Sequence, residues 1–404
     1  MTRIEPDAVS GGGKAHRRLR VVHVVDSLAG SGGAENRLVD EILALTGRFD
    51  QRLVRLYERD YLQSRLEAAG VPVVALGFTG TRAGRTWPLA ARRLRGVLRE
   101  WRPDVVHTTL FSGNLVGQLA SRPLGIPVVS SFNRTGDLAL QRALQPGVSG
   151  WKGRVMHAVA RWTGRRGDVH FRAVSEYARQ TNCVLFRVPP DQVTVVPRGI
   201  EVDLMAPPVG RDALGIPADG PLFVNVARLV PEKGQAMLIE AFAVIRAAVP
   251  GAHLAIAGAP GPAEPDVRAA VSRHGLDGDV HLLGFRPDAR ALIAAADVFV
   301  LSSLSEGSPG VVLEAMALGT PVVAFNIPPV AELTDAGRHA RLVPGRSAEA
   351  LADAMVTALR SPTRDAEAAG ARAWAARFDM ATVARRLGDL LEDRARHRSV
   401  GVTR

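Results

Sequence analysis

Arg228 and Lys233 stand five residues apart in Ala227-Arg228-Leu229-Val230-Pro231-Glu232-Lys233-Gly234, directly after the apolar run Leu222 to Ala227. Two cations at the carboxyl end of a strand suit a diphosphate, one as a planar fork and one as a compact point charge. Lysine is informative here, because the chain holds 3 lysines beside 48 arginines. Glu306 and Glu314 frame the stretch Glu306-Gly307-Ser308-Pro309-Gly310-Val311-Val312-Leu313-Glu314. Pro309 suits a first helical turn, so amides at Ser308, Pro309's neighbour Gly310 and Val311 would meet an anion at a helix N-terminus. A carboxylate at Glu314 can accept two hydrogen bonds from a ribose diol. Near the other end, Gly30-Ser31-Gly32-Gly33-Ala34-Glu35 follows a strand and opens a helix, where glycines let a phosphate approach the backbone. The spacing is not that of a dinucleotide fingerprint. Each of these features alone also fits a plain turn or a solvated loop.

Other candidates are weaker. His107 ends the run Pro103-Asp104-Val105-Val106-His107 and reads first as a satisfied core histidine. Asp277-Gly278-Asp279 reads as a turn. Asn133-Arg134-Thr135 fits a glycosylation sequon, with nothing to suggest secretion. The segment Trp151 to Trp162 is cationic with an aromatic at each end, and fits either an anionic bilayer or its own sheet.

Positioning these residues requires two alternating series of strands and helices. The first has strands at 19–25, 51–57, 71–76, 104–108, 127–132, 169–174 and 193–197, with helices at 34–46, 60–69, 87–101, 113–122, 151–164 and 175–187. The second has strands at 222–227, 253–257, 279–283, 297–301, 321–325 and 340–343. Its helices fall at 234–248, 265–274, 287–295, 309–318, 347–360 and 364–377, and a last helix covers about 380–395. Such alternation implies βαβ units and parallel sheets. The expected fold is α/β, with two doubly wound, Rossmann-like domains facing a central cleft. The expected division is a flexible leader at 1–18, a first domain at 19–205, a proline- and glycine-bearing linker at 206–221, a second domain at 222–378, and a helix and tail at 379–404.

With 404 residues, 47% of them hydrophobic and 23% charged, the chain has ample apolar surface to bury, and disorder as its main state is excluded. No apolar stretch reaches the length of a spanning helix. Met1 to Arg20 lacks the apolar centre of a signal peptide, and Cys183 has no second cysteine to pair with. These features point to a cytoplasmic protein. The net charge of +11 is uneven: residues 1–200 hold 30 Lys and Arg against 16 Asp and Glu, residues 201–404 hold 21 against 24. A basic first half suggests an anionic partner, such as a membrane surface, a phosphorylated acceptor or nucleic acid.

Taken in order, Gly-Gly-Ala-Glu, Pro-Asp-Val-Val-His, Ala173-Val174-Ser175-Glu176, Val196-Pro197-Arg198-Gly199-Ile200-Glu201, Arg228-x4-Lys233-Gly, Leu283-Gly284-Phe285 and Glu306-x7-Glu314-Ala315-Met316-Ala317 resemble the retaining glycosyltransferases of family 4, with GT-B architecture. The resemblance covers about residues 19–360 and is most specific in the second half. It implies that Arg228 and Lys233 bind the donor diphosphate, Glu314 the nucleotide ribose and Glu306 the transferred sugar, with Arg228, Lys233 and Glu306 the catalytic set. Gly33 would approach the diphosphate, the backbone around Arg286 would meet the base, and Ser308, Pro309, Gly310 and Val311 would join the donor site. Gly32, His107, Thr109 and Asn133 would lie toward the acceptor or sugar. The last helix would cross back to the first domain.

The chain departs from the family at three places: Thr109 replaces a second histidine, Arg198 replaces asparagine in Pro-Asn-Gly, and Ala227 replaces glycine before the clamp arginine. The implied activity is metal-independent transfer from a nucleoside-diphosphate sugar to a sugar, lipid-linked or small-molecule hydroxyl. No resident cofactor or metal is implied, and peripheral contact with the inner membrane face is compatible. A nucleotide-sugar epimerase, a phosphorylase and a nucleic-acid-binding protein are the competing readings. The last lacks any recognisable nucleic-acid module.

Overall fold

The computed structural model describes residues 17–30, 33–79, 83–136, 151–165, 168–202 and 207–401. Seven parallel strands form the first sheet: β1 (Arg20–Val25), β2 (Asp50–Tyr57), β3 (Val73–Phe78), β4 (Val105–Thr109), β5 (Val128–Phe132), β6 (Val169–Ala173) and β7 (Val193–Val195). Their order is β3-β2-β1-β4-β5-β6-β7. The second sheet has six: β8 (Leu222–Val226), β9 (His253–Ala257), β10 (Val280–Gly284), β11 (Val298–Leu301), β12 (Val322–Phe325) and β13 (Arg341–Val343), in the order β10-β9-β8-β11-β12-β13. Every described pairing is parallel. Valine-rich strands such as β1 and β4 are buried on both faces, as a sheet covered by helices requires. In each sheet the order reverses next to the first strand, and ligands bind beyond the carboxyl ends at such a point.

The first domain carries α1 (Gly33–Ala44), α2 (Gln63–Ala68), α3 (Ala83–Trp101), α4 (Phe111–Ser121), α5 (Trp151–Gly164) and α6 (Glu176–Phe186). The second carries α7 (Gln235–Ala248), α8 (Glu264–Arg273), α9 (Ala289–Ala294), α10 (Gly310–Leu318), α11 (Pro328–Leu333), α12 (Ala348–Leu359) and α13 (Arg364–Ala375). The last helix, α14 (Met380–Gly401), packs Val383, Leu387 and Leu391 against Val21, Val105 and Val129 of the first sheet. Where it crosses, the Ile200 amide donates to the Phe378 carbonyl at 2.9 Å and the Met380 amide donates to the Ile200 carbonyl at 2.7 Å. A Cβ on Gly199 would lie 3.0 Å from Met380 Cα, so a side chain there would push the crossing apart.

Some expectations need correction. Of the expected leader, residues 1–16 lie outside the described residues, but Arg17 is anchored to Asp104 at 2.8 Å. The helix α11 is not among the expected elements; Pro328 and Pro329 both sit in its first turn, where no amide is required. Of the Trp151 to Trp162 segment, Val159 packs on the first-domain core, and Trp162 remains 45% exposed beneath the Arg122 guanidinium.

One buried ion pair ties the first domain together. Arg172 on β6 holds the Glu41 carboxylate of α1 through both guanidinium ends, at 2.8 and 2.6 Å. Its Nε and Nη2 also donate to the carbonyls of Val196 and Pro197 at 3.0 and 2.9 Å. Both side chains are almost wholly buried. Removing one partner strands the other charge, whereas replacing both with apolar groups does not. Arg172→Met is therefore expected to lower stability by about 3–5 kcal/mol. The Arg172→Met/Glu41→Leu double variant should lose clearly less, as read by urea unfolding.

Candidate active site

Loops from both sheets converge on a cleft of ≈ 860 Å³. The first domain contributes the start of α1 with Gly33, the loop after β5 with Asn133, and the loop after β7 with Arg198. The second contributes the loops after β8, β10 and β11 and the start of α10. Each approaches from a strand's carboxyl end.

Lys233 ends a short turn of 3₁₀ helix, Pro231–Lys233, and its carbonyl accepts from Ser302 Oγ at 2.9 Å. Its Nζ donates to Glu306 Oε1 at 2.5 Å, with both side chains largely buried. The Arg228 side chain lines the same cleft and, among the described residues, has no ion-pair partner. Ser308 is 2% exposed, and its hydroxyl has no hydrogen-bond partner among the described residues. Pro309 occupies the N-cap position of α10 rather than its first turn, and Gly310 begins the helix. The unsatisfied amides at that end carry partial positive charge.

Glu314, one turn into α10, accepts from Arg37 of α1 and, at 3.5 Å, from Arg290 of α9. Arg37 also reaches Asp40 at 3.2 Å, and Arg290 reaches Glu201 at 3.3 Å. Phe285 and Tyr61 meet edge to face at the cleft mouth, with centroids 6.3 Å apart, and both are substantially exposed. Arg286 lines the cleft, with its guanidinium held by Asp288 at 2.8 and 2.6 Å.

The domains are pinned together around this site. Arg134 donates to Glu232 at 2.9 Å, and Ser175 Oγ to the Gly307 carbonyl at 2.8 Å. A Cβ on Gly307 would collide with the Asn133 carbonyl, so glycine permits this close approach. Glu332 of α11 accepts the Glu176 and Tyr177 amides, both at 2.7 Å, placing a carboxylate at the positive end of α6.

The structure therefore gathers Gly33, Asn133, Arg228, Lys233, Arg286, Glu306, Ser308, Pro309, Gly310, Val311 and Glu314 in one cleft. Gly32 lies outside the described residues. His107 and Thr109 are not brought there: both side chains are buried in β4 among neighbouring strands. Sequence reasoning missed Arg37 and Arg290, which reach Glu314 only through tertiary packing. Arg37 is four residues from Gly33, so its place on the same helix face as the turn was the available signal. Among the described residues, no group of three or more His, Cys, Asp or Glu is placed to hold a metal ion. No described helix is long and apolar enough to cross a membrane.

Comparison with known proteins bears on the family and the fold. Residues 32–199 match the model of the "Glycosyl transferase 4-like domain" and residues 220–361 that of "Glycosyl transferases group 1". The chain is 32% identical over 218 residues to a D-inositol 3-phosphate glycosyltransferase of Corynebacterium glutamicum, covering 50% of this chain and 52% of that one. It thus spans about half the length of that relative. It is 29% identical over 335 residues to the protein of the same name from Thermobispora bispora, covering 76% and 77%. Its fold superposes on Anabaena Alr3699/HepE, solved in complex with UDP and glucose, with a TM-score of 0.78 at 24% identity, over 93% of this chain and 100% of that one. The chain belongs to the family 4 glycosyltransferases, with GT-B architecture.

His107 instead belongs to a buried chain of hydrogen bonds. Gln51 donates its amide to the Ile42 carbonyl at 2.8 Å, which turns its oxygen toward His23 Nε2 at 3.0 Å. His23 Nε2 must then donate, so its Nδ1 accepts from His107 Nδ1 at 3.1 Å. His107 Nε2 accepts from Ser131 Oγ at 3.0 Å. This order uses two neutral rings. Burial lowers the His23 pKa to about 4, against the raising effect of its bond to Gln51. Burial, with the fields of His23 and Arg172, holds His107 well below its ordinary value. Between pH 6.5 and about 4 the unfolded chain takes up protons that folded His23 refuses, so stability falls on acidification. Asp26 works in the opposite direction, because burial raises its pKa to about 6. The His23 part amounts to about 3 kcal/mol across that window. His107 and His170, also lowered chiefly by burial, add to the His23 effect, so urea midpoints measured from pH 7 to 4.5 should fall, and His23→Gln should make that fall shallower.

Proposed function

We propose that the cleft transfers a sugar from a nucleoside-diphosphate donor to an acceptor hydroxyl, with retention at the anomeric carbon. The observation that carries this reading is the convergence of Arg228, Lys233, the unpartnered Ser308 hydroxyl and the N-terminus of α10 in one cleft with Glu306 and Glu314. Cations and amides of that kind stabilise a departing diphosphate. The structural neighbour, described in complex with UDP and glucose, supports the same donor class.

In the proposed reaction the bond between the anomeric carbon and the diphosphate oxygen breaks. The acceptor oxygen bonds to that carbon from the same face, and its proton passes to the departing phosphate oxygen. Arg228, Lys233 and the α10 amides take the developing negative charge, and this reading requires no metal. Glu306 orients Lys233 and faces the sugar hydroxyls. Glu314 takes the ribose diol, which requires it to exchange Arg37 for the nucleotide. Closure of the two domains limits attack by water. The basic first half favours an anionic acceptor, whether sugar, lipid-linked or small molecule, and peripheral contact with an anionic membrane fits the same charge.

Calorimetry with UDP, GDP, ADP and dTDP is expected to show binding of one of them, and that nucleotide selects the sugar panel for a transfer assay. Lys233→Ala should lower turnover by about 10²- to 10³-fold with the fold intact. Unchanged turnover would remove Lys233 from the mechanism. A folded wild type that binds none of the four would overturn the donor reading.

A further inference from the structure

Tyr61 and Phe285 meet across the mouth of the cleft, and each is held there by its own domain. Tyr61 lies in the loop between β2 and α2. That loop is stitched to the chain after β1: the Leu28 amide donates to the Arg59 carbonyl at 2.7 Å, and the Leu62 amide to the Leu28 carbonyl at 3.0 Å. The Tyr61 ring covers Gly30, where a Cβ would stand 2.6 Å from its Cδ1. Phe285 lies between β10 and α9, in a loop braced by the contact of Arg286 with Asp288. Tyr61 is 62% exposed and Phe285 47%. Six large hydrophobic side chains are exposed among the described residues, and these two come together. Exposed aromatic surface gathered at a cleft mouth marks a ligand contact.

Both loops are tied to Glu314. Arg290, five residues after Phe285, reaches that carboxylate at 3.5 Å. Arg37 reaches it from the first domain, and Asp40 accepts from Arg37 at 3.2 Å and from Arg65 at 2.9 Å. Arg65 stands in α2, four residues after Tyr61. With a diphosphate at the start of α10 and a ribose on Glu314, the next group of the ligand falls among these loops. That group is the nucleobase, a planar ring system suited to stacking on aromatic side chains. An acceptor hydroxyl must instead approach the anomeric carbon, at the opposite end of the donor.

We propose that Tyr61 of the first domain stacks on the nucleobase of the donor, facing Phe285 of the second. This rests on the reading of the cleft as a nucleotide-sugar site and extends it. The base is gripped from both domains, so closure is linked to the nucleoside. Every base has a ring face, so Tyr61 supplies affinity rather than choice among bases.

The test is calorimetry on the full chain with UDP, GDP, ADP and dTDP, and with the monophosphate of whichever binds. Tyr61→Ala is expected to weaken the preferred diphosphate by about tenfold, and its monophosphate by the same factor, because both carry the base. Tyr61→Phe keeps the ring and should stay within about twofold of the wild type. Tyr61→Leu keeps an apolar cover over Gly30 without a ring, and should follow Tyr61→Ala. Wild-type affinity in a folded Tyr61→Ala overturns the inference. So does a Tyr61→Leu that binds as well as Tyr61→Phe, which makes the side chain a cover only. A loss confined to the diphosphate also overturns it, because it puts Tyr61 at the phosphates. A wild type that binds none of the four overturns the donor reading itself, and that result is distinct from the other three.

Discussion

Lys233 and Glu306 meet at 2.5 Å where two loops of the second sheet end against the first domain, and the arrangement of the cleft follows from that pair. A compact cation is useful to a diphosphate only if it is fixed, and a flexible lysine is fixed by partners. Glu306 fixes the ammonium, and the Ser302 hydroxyl fixes the backbone behind it. Glu306 in turn needs a loop that can approach the first domain closely, which Gly307 supplies against the Asn133 carbonyl. Other cations line the same cleft, among them Arg228 from the second domain and Arg37 and Arg198 from the first.

Concentrating like charges in a low-dielectric cleft is unfavourable, and the fold offsets it with interactions formed elsewhere. Glu332 at the start of α6 and Glu232 on Arg134 draw the domains together, the second pair within the lining of the cleft itself. The buried Arg172–Glu41 pair joins α1 to the loop after β7, two of the three first-domain elements that reach the cleft. On the far side, α14 spans from the crossing at Ile200 to the core around Val21. That tether limits how the domains separate, and a hinge there needs few residues to change.

Much of this was legible because it is local. Strands such as β8 and β11 are short apolar runs with chemistry at their carboxyl ends, so Arg228, Lys233 and Glu306 could be placed from spacing alone. Glu314 could be placed in a helix, but not its partners, since Arg37 lies 277 positions away in sequence. His107 shows the opposite limit. Sequence gives a histidine at a strand end, but its direction depends on β1 and β5, where His23 and Ser131 satisfy it. Helix α11 was not expected, although the position of its two prolines in the first turn is compatible with a helix. Arg198 was visible as a departure from a pattern, and the structure places it in the cleft beside the start of α1.

The most direct test of the account is a crystal structure with the nucleoside diphosphate that the protein binds. The account predicts a diphosphate between the N-termini of α1 and α10, in contact with Arg228 and Lys233. It also predicts a ribose diol on Glu314, with Arg37 moved off that carboxylate. A nucleotide bound elsewhere, or a Glu314 still held by Arg37 with the ribose turned away, would contradict it.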